Sequence, residues 1–345
     1  MAKYIDISNW KKQVHVHTGG TRDKFIAISP EDDKKYYFKT SINKGLKNYK
    51  YEFWSEIIAS ELGSLLGFNV LHFDVASSDE KIGCLSKSII DENTEEHHDG
   101  YRYLAQKYPD FTRTFKKTHS FQRIIGALEN VDLGHLRKDV IEMIIFDAII
   151  GNTDRHSENW ALVVKKSKDF EEVEKIFNQY KNSSWYKRFV VSIILFYKLR
   201  MSFNSLLAMV RRLSTTFSPI YDSGSSLARE LSSEKIQELM TDDLKMDNFI
   251  KRGKPDIRWN DENLNHIELV KTIAIDDYNI VHDILSRVRR LYDKQKLEMI
   301  VINIDKDIPD KFIDHKIPRD RKCFIIKYID LRINKILDDH EQMFR

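Results

Sequence analysis

The sequence predicts an α+β chain of two lobes, a small strand-rich one over residues 1–90 and a larger helical one over residues 91–345. Two observations predict this division. β-prone runs broken by polar turns fill most of the first ninety residues, and apolar residues at helical spacing dominate the rest. Between them lies Asp91 to Gly100, a polar stretch with the composition of a boundary.

Phe25, Ile26 and Ile28 precede the turn-forming Ser29 to Asp33, and Tyr36, Tyr37, Phe38 and Lys39 follow, which is the pattern of a hairpin. From Tyr51 to Leu66 the apolar Phe53, Ile57, Ile58, Leu62, Leu65 and Leu66 recur at helical spacing, and Gly67 stands where a C-terminal cap belongs. Val70 to Ala76 and Ile82 to Leu85 read as strands around the polar Ser77 to Lys81. Past the boundary, helices are expected over Phe121 to Glu129 and over Asp139 to Ile150, the second stopped by Gly151. The tail adds helical runs at Asn279 to Tyr292 and Phe324 to Gln342.

Composition excludes more than it identifies. With 56 basic and 53 acidic residues the net charge is +3, so nothing drives the whole chain toward nucleic acid and no specific nucleic-acid binding is expected. Two cysteines, Cys84 and Cys323, make neither a disulfide framework nor a metal-ligand pattern. Met1 to Lys12 has no apolar leader core, and no run approaches the ~20 apolar residues that cross a bilayer. A reducing, cytoplasmic setting is expected.

The chemistry gathers after the helix that ends at Ile150. Within Gly151 to Trp160, Asp154 and Asn159 stand five residues apart. That is the spacing of a kinase catalytic loop, because one loop must reach both the attacking hydroxyl and a metal: the Asp accepts the proton and the Asn oxygen holds Mg2+. A second element, Pro219-Ile220-Tyr221-Asp222-Ser223-Gly224, is a short β-prone run ending in Asp-x-Gly, where a second carboxylate would coordinate Mg2+ on a triphosphate. Gly224 is expected to free the backbone for the turn. Carboxylate and amide oxygens suit Mg2+ rather than zinc.

The N-terminal part supplies what this reading demands. Thr18-Gly19-Gly20-Thr21-Arg22-Asp23-Lys24 leads into the first hairpin strand, so its backbone amides can cover phosphates. Lys39 ends a strand, the place for a lysine that grips the α- and β-phosphates of ATP. Glu52 or Glu56 on the next helix can orient that lysine; Glu56 is preferred because Ile57 and Ala59 hold its face near a core. Taken singly, each piece has a plainer reading. Asp-x-x-x-x-Asn recurs by chance in loops, Asp-x-Gly and Gly-Gly are commonly turns, and a strand-end lysine is commonly a solvated charge. Their order along the chain carries the joint reading.

Gly151-Asn-x-Asp-Arg-His-x-x-Asn-Trp, together with Pro219-Ile-Tyr-Asp-Ser-Gly-Ser-Ser-Leu, resembles the HipA-type serine/threonine kinases, and among them the stand-alone cell-translocating kinases. Ser55-Glu56-x-x-Ala59 and Leu65-Leu66-Gly67 fit the same family. The resemblance implies a two-lobed protein-kinase-like fold, shared with phosphoinositide kinases. It implies Asp154 as catalytic base, Asn159 and Asp222 as Mg2+ ligands, Gly19 to Lys24 as phosphate loop and Lys39 as phosphate-binding lysine. His156 and Tyr221 would line the nucleotide site, with a hinge at Leu85, Ser86, Lys87 and Ser88 gripping adenine. A structural role for His156 stays open, and Asp147 is expected to brace the loop. The family also implies a protein substrate with a Ser/Thr acceptor and an antitoxin or regulatory partner. Only Met1 to His17 precedes the phosphate loop, where HipA proteins carry a further subdomain, so antitoxin docking is not carried over directly.

A long insertion, at about 165–216, separates the two metal-binding motifs. After Glu174 no acidic residue occurs until Asp222, while Lys187, Arg188, Lys198, Arg200, Arg211 and Arg212 are interleaved with apolar residues. A basic amphipathic helix pair can meet an acidic partner or a membrane surface. The expectation is instead that Trp185, Phe189, Ile193 and Phe196 form one stripe buried against the helical lobe. The function expected is Ser/Thr phosphotransfer. The alternatives are a phosphoinositide-kinase-like lipid or small-molecule kinase, and a catalytically silent nucleotide-binding module.

Overall fold

The computed structural model describes residues 1–13, 24–44, 47–112, 118–166, 182–185 and 203–343. Among the described residues before the boundary are eight short strands, interrupted by one helix after the sixth: β1 (Tyr4–Asp6), β2 (Lys11–Gln13), β3 (Lys24–Ile28), β4 (Lys35–Lys39), β5 (Asn43–Lys44), β6 (Lys47–Asn48), β7 (Asp74–Ser78) and β8 (Lys81–Lys87). Six of them form one sheet in the order β1-β7-β8-β4-β3-β2, and β5 pairs with β6. The hairpin read from the sequence is β3–β4, in the register Phe25 opposite Phe38. Alternation sends Phe38 into a small core with Ile7, Ala27, Ala76 and Leu85, and turns its neighbour Lys39 to the opposite face. Helix α1 (Glu52–Leu65) packs Phe53, Ile57, Ile58 and Leu62 into the main core.

Three expectations change here. β7 starts at Asp74 rather than Val70, because Val70 bridges to Ile220 far along the chain. β1 pairs parallel to β7 and adds a strand to those expected. The polar Asp91 to Gly100 is not all connection: β9 (Glu95–Asp99) is an edge strand paired with β10 (Ala161–Lys165), which pairs in turn with β11 (Thr215–Phe217). An edge strand tolerates such a charged sequence because its side chains reach solvent.

The helical part holds α2 (Gly100–Lys107), α3 (Phe121–Glu129), α4 (Arg137–Ile150), α5 (Phe203–Ser214), α6 (Ser233–Thr241), α7 (Asp243–Arg252), α8 (His266–Asp276), α9 (Tyr278–Leu291), α10 (Lys294–Asn303) and α11 (Arg319–Met343). Among these helices, α4 is the axle. Its residues from Met143 to Ile150 are all buried, which is the signature of a helix surrounded by others, here α8, α9 and α11. Gly151 ends it at φ 67°, and a Cβ at that position would collide with the Tyr328 hydroxyl of α11. Gly151→Ala should therefore lower stability by ~1–2 kcal/mol from the left-handed backbone alone, with the collision adding to it. A thermal melt matching the wild type would contradict this.

Within the insertion, Trp185 is 76% exposed rather than buried. Asn182 and Ser183 just before it form a turn and bend, and Trp185 is the first residue of the expected stripe. Phe189, Ile193 and Phe196 lie outside the described residues. On α5, Arg211 pairs with Asp132 at 3.5 Å and Arg212 donates to the Asp132 carbonyl at 3.2 Å, so this basic end is tied to the protein. Among the described residues no helix is long and apolar enough to cross a membrane.

Candidate active site

The loop after α4 is built on a buried ion pair. Asp147, in the last turn of α4, accepts from Arg155 Nε and Nη2, both at 2.8 Å, and from Asn152 Nδ2 at 2.9 Å. Both members of the pair are buried, Arg155 completely. A guanidinium in such a place needs its other donors satisfied as well. Its Nη1 donates to the Asn159 carbonyl at 2.6 Å and, in a very short contact, to the Tyr221 carbonyl. Burial works against the charge, but Asp147 and then Asp222 outweigh it and hold the Arg155 pKa above its ordinary value. One side chain thus joins both sequence motifs.

Smaller contacts complete the join. Asn159 Nδ2 donates to the Asp154 carbonyl at 2.8 Å, and the Asp154 N–H donates to Asn152 Oδ1 at 3.3 Å. Thr153 N–H reaches the Ser225 carbonyl at 3.3 Å, and the Tyr221 hydroxyl donates to the Glu158 carbonyl at 3.0 Å. Burial, then the Asp222 carboxylate, push the Tyr221 phenol well above its ordinary pKa. His97 of β9 lies against the Tyr221 ring at 5.8 Å.

Asp222 is placed from both sides. Upstream, Ile220 exchanges backbone hydrogen bonds with the segment after α1, accepting from Leu71 at 2.9 Å and donating to Asn69 at 2.7 Å. Asp222 itself takes the left-handed turn, at φ 57°, whereas Gly224 is not among the left-handed glycines. The expectation that Gly224 makes the turn is corrected: Asp tolerates this region better than most residues, so no glycine is required there. Downstream, the Ser223 N–H donates to Glu56 Oε2 at 2.7 Å. Lys39 Nζ lies 3.6 Å from Asp222 Oδ1. Glu52 is committed elsewhere, to the Ile42 N–H at 2.8 Å and to Arg229.

No protein-family model and no curated protein matches the sequence. Solved structures do match. The proinflammatory kinase CtkA of Helicobacter pylori aligns over 99% of this chain and 99% of its own, with a TM-score of 0.70 at 15% identity. This chain has the HipA-like kinase fold. HipA of Shewanella oneidensis MR-1, from a toxin–antitoxin complex with HipB and operator DNA, covers 97% of this chain and 67% of its own, with a TM-score of 0.50 at 12% identity.

Within the HipA-like fold the remaining sequence candidates fall in different places. Lys24 sits directly across from Lys39 in the β3–β4 register. Gly19, Gly20, Thr21, Arg22 and Asp23 lie outside the described residues. Leu85 and Ser86 are buried in β8, and the Ser88 N–H is taken by the Lys35 carbonyl at 2.8 Å. The Lys87 side chain is engaged by Asp32, at 2.5 Å. His156 accepts the Glu158 N–H on Nδ1 at 3.2 Å, which is a bracing contact within the loop. In the sequence Arg155 is one letter of the loop motif. The signal is present: an arginine next to the apolar end of a helix needs a carboxylate, and Asp147 is the acid within the run Ile144 to Ile150.

Proposed function

We propose that this chain is an ATP- and Mg2+-dependent phosphotransferase, a HipA-like kinase that transfers the γ-phosphate to a Ser or Thr hydroxyl of a protein. The observation that carries the reading is the Arg155 junction. It holds the Asp154–Asn159 loop against the Tyr221–Asp222 segment, while Lys39 reaches Asp222 from the sheet. The donor set fits Mg2+. The Asn159 amide nitrogen is spent on the Asp154 carbonyl, which leaves its oxygen as the group to offer a cation, and the Asp222 carboxylate retains exposed surface. Asn159 and Asp222 would hold the ion, which when bound neutralises charge on the transferring phosphates. Lys39 would orient the α- and β-phosphates, and Asp154 would take the proton of the attacking hydroxyl.

Radiolabelled ATP offered with generic protein substrates, and separately with phosphoinositide vesicles, tests the reading. Label in protein supports it; label in lipid alone favours a lipid kinase; label in neither, with ATP bound, leaves a silent nucleotide-binding module. Asp222→Ala should weaken Mg2+-ATP binding in calorimetry by about tenfold or more, roughly 1.4 kcal/mol. Unchanged affinity would remove Asp222 from the metal site.

A further inference from the structure

Under the catalytic loop, α11 delivers an arginine that the phosphotransfer roles leave unused. Arg332 is fully buried. Its Nε donates to the Ala148 carbonyl at 2.6 Å and its Nη1 to the Tyr328 hydroxyl at 3.1 Å, with the guanidinium 5.2 Å from the Tyr328 ring centre. Tyr328 in turn closes over Gly151, leaving no room there for a side chain.

The last carbonyls of α4 have no partners within the helix and must find them outside it. The Ile150 carbonyl accepts the Leu227 N–H at 3.0 Å, and the Asp147 carbonyl, capped by the Gly151 N–H, also accepts the Asn152 N–H at 3.0 Å, so both anchor the loop and the segment after Asp222. Ala148 is the one held by α11. A helix C-terminus carries about half a negative charge, and Arg332 sets a full positive charge against it. Packing alone does not require this, since an apolar residue of similar volume in a buried position is commonly as stable or more so. His266 is buried alongside. Burial, and then Arg332, push its pKa well below the usual histidine range, so it adds no second charge near neutral pH.

We propose that Arg332 is a positioning residue for phosphoryl transfer, fixing the end of α4 and, through Tyr328, the turn at Gly151 from which Asp154 is presented. The kinetic side of the proposal rests on the phosphotransferase reading; the structural side rests on geometry alone. Arg332→Met should lower kcat by about 10- to 100-fold, the scale on which small misplacements act. KM for ATP should change far less, because Lys39 and the sheet are untouched. Amide hydrogen exchange at Asn152 and Thr153 should accelerate while the amides of α1 and α9 keep their protection. Arg332→Lys, which keeps the charge but not the fork, should fall between wild type and Arg332→Met, and millimolar guanidinium should restore part of the rate to Arg332→Ala. If Arg332→Met does not fold, Arg332→Lys carries the same comparison. Wild-type exchange at residues 152 and 153, or a rate loss no larger than the unfolded fraction, overturns the proposal. A wild-type protein that transfers no phosphate overturns the phosphotransferase reading, while the exchange data still decide the role of Arg332.

Discussion

Asp154→Ala should reduce phosphate transfer by roughly 10²–10⁴-fold, the usual loss when a general base is removed. Fold and ATP binding should survive, for a reason visible in the loop. The contacts that tie residue 154 to Asn152 and Asn159 are made by its backbone N–H and carbonyl, and an alanine keeps both. Asp154 is half-buried, and the buried pair beside it is made by Asp147 and Arg155. Asp154→Asn should behave the same way, since it keeps the shape and loses the basicity. Initial rates with radiolabelled ATP, set beside calorimetric ATP affinity and a thermal melt, check the separation. Near-normal turnover in purified Asp154→Ala would end the assignment.

What the sequence disclosed follows how local each determinant is. The β3–β4 hairpin, α1 and α4 are written in short-range patterns, and the structure places them within a few residues of expectation. Asp154 and Asn159 share one loop, so their proximity is guaranteed by spacing. Long-range partners were harder to see. The contact from Arg155 to Tyr221 spans 66 residues and has no periodic signature. β1 is three residues long and exists because β7 accepts it. The run from Glu95 to Asp99 has the composition of a connection and becomes a strand only because β10 offers it an edge. Trp185 is the reverse case: helical spacing makes it the first member of an apolar stripe, and its ring is exposed. Burial of its neighbours favours Glu56 over Glu52 in the sequence, yet both are buried. What separates them is the partner, Ser223 for Glu56 and Arg229 for Glu52.

Arg155→Met should be the most destabilising single change near the site. It strands the Asp147 carboxylate, which is 3% exposed and loses two of its three side-chain donors. Breaking a buried pair in this way typically removes about 3–5 kcal/mol, a large part of the stability of an ordinary domain. The melting temperature should fall by several degrees or more. Pairing Arg155→Met with Asp147→Leu should recover much of that loss, because no buried charge is then left alone. Activity should not return with stability. The double variant still lacks the donor that held the Asn159 and Tyr221 carbonyls, so the two motifs are no longer fastened to each other. Melting curves and initial rates of the two single variants and the double variant therefore separate two roles of one side chain. Recovery of both quantities in the double variant would mean that Arg155 serves only the core. Recovery of stability with the rate still depressed would mean that the guanidinium sets the distance between Asn159 and Asp222, on which any metal-bound triphosphate at this site would depend.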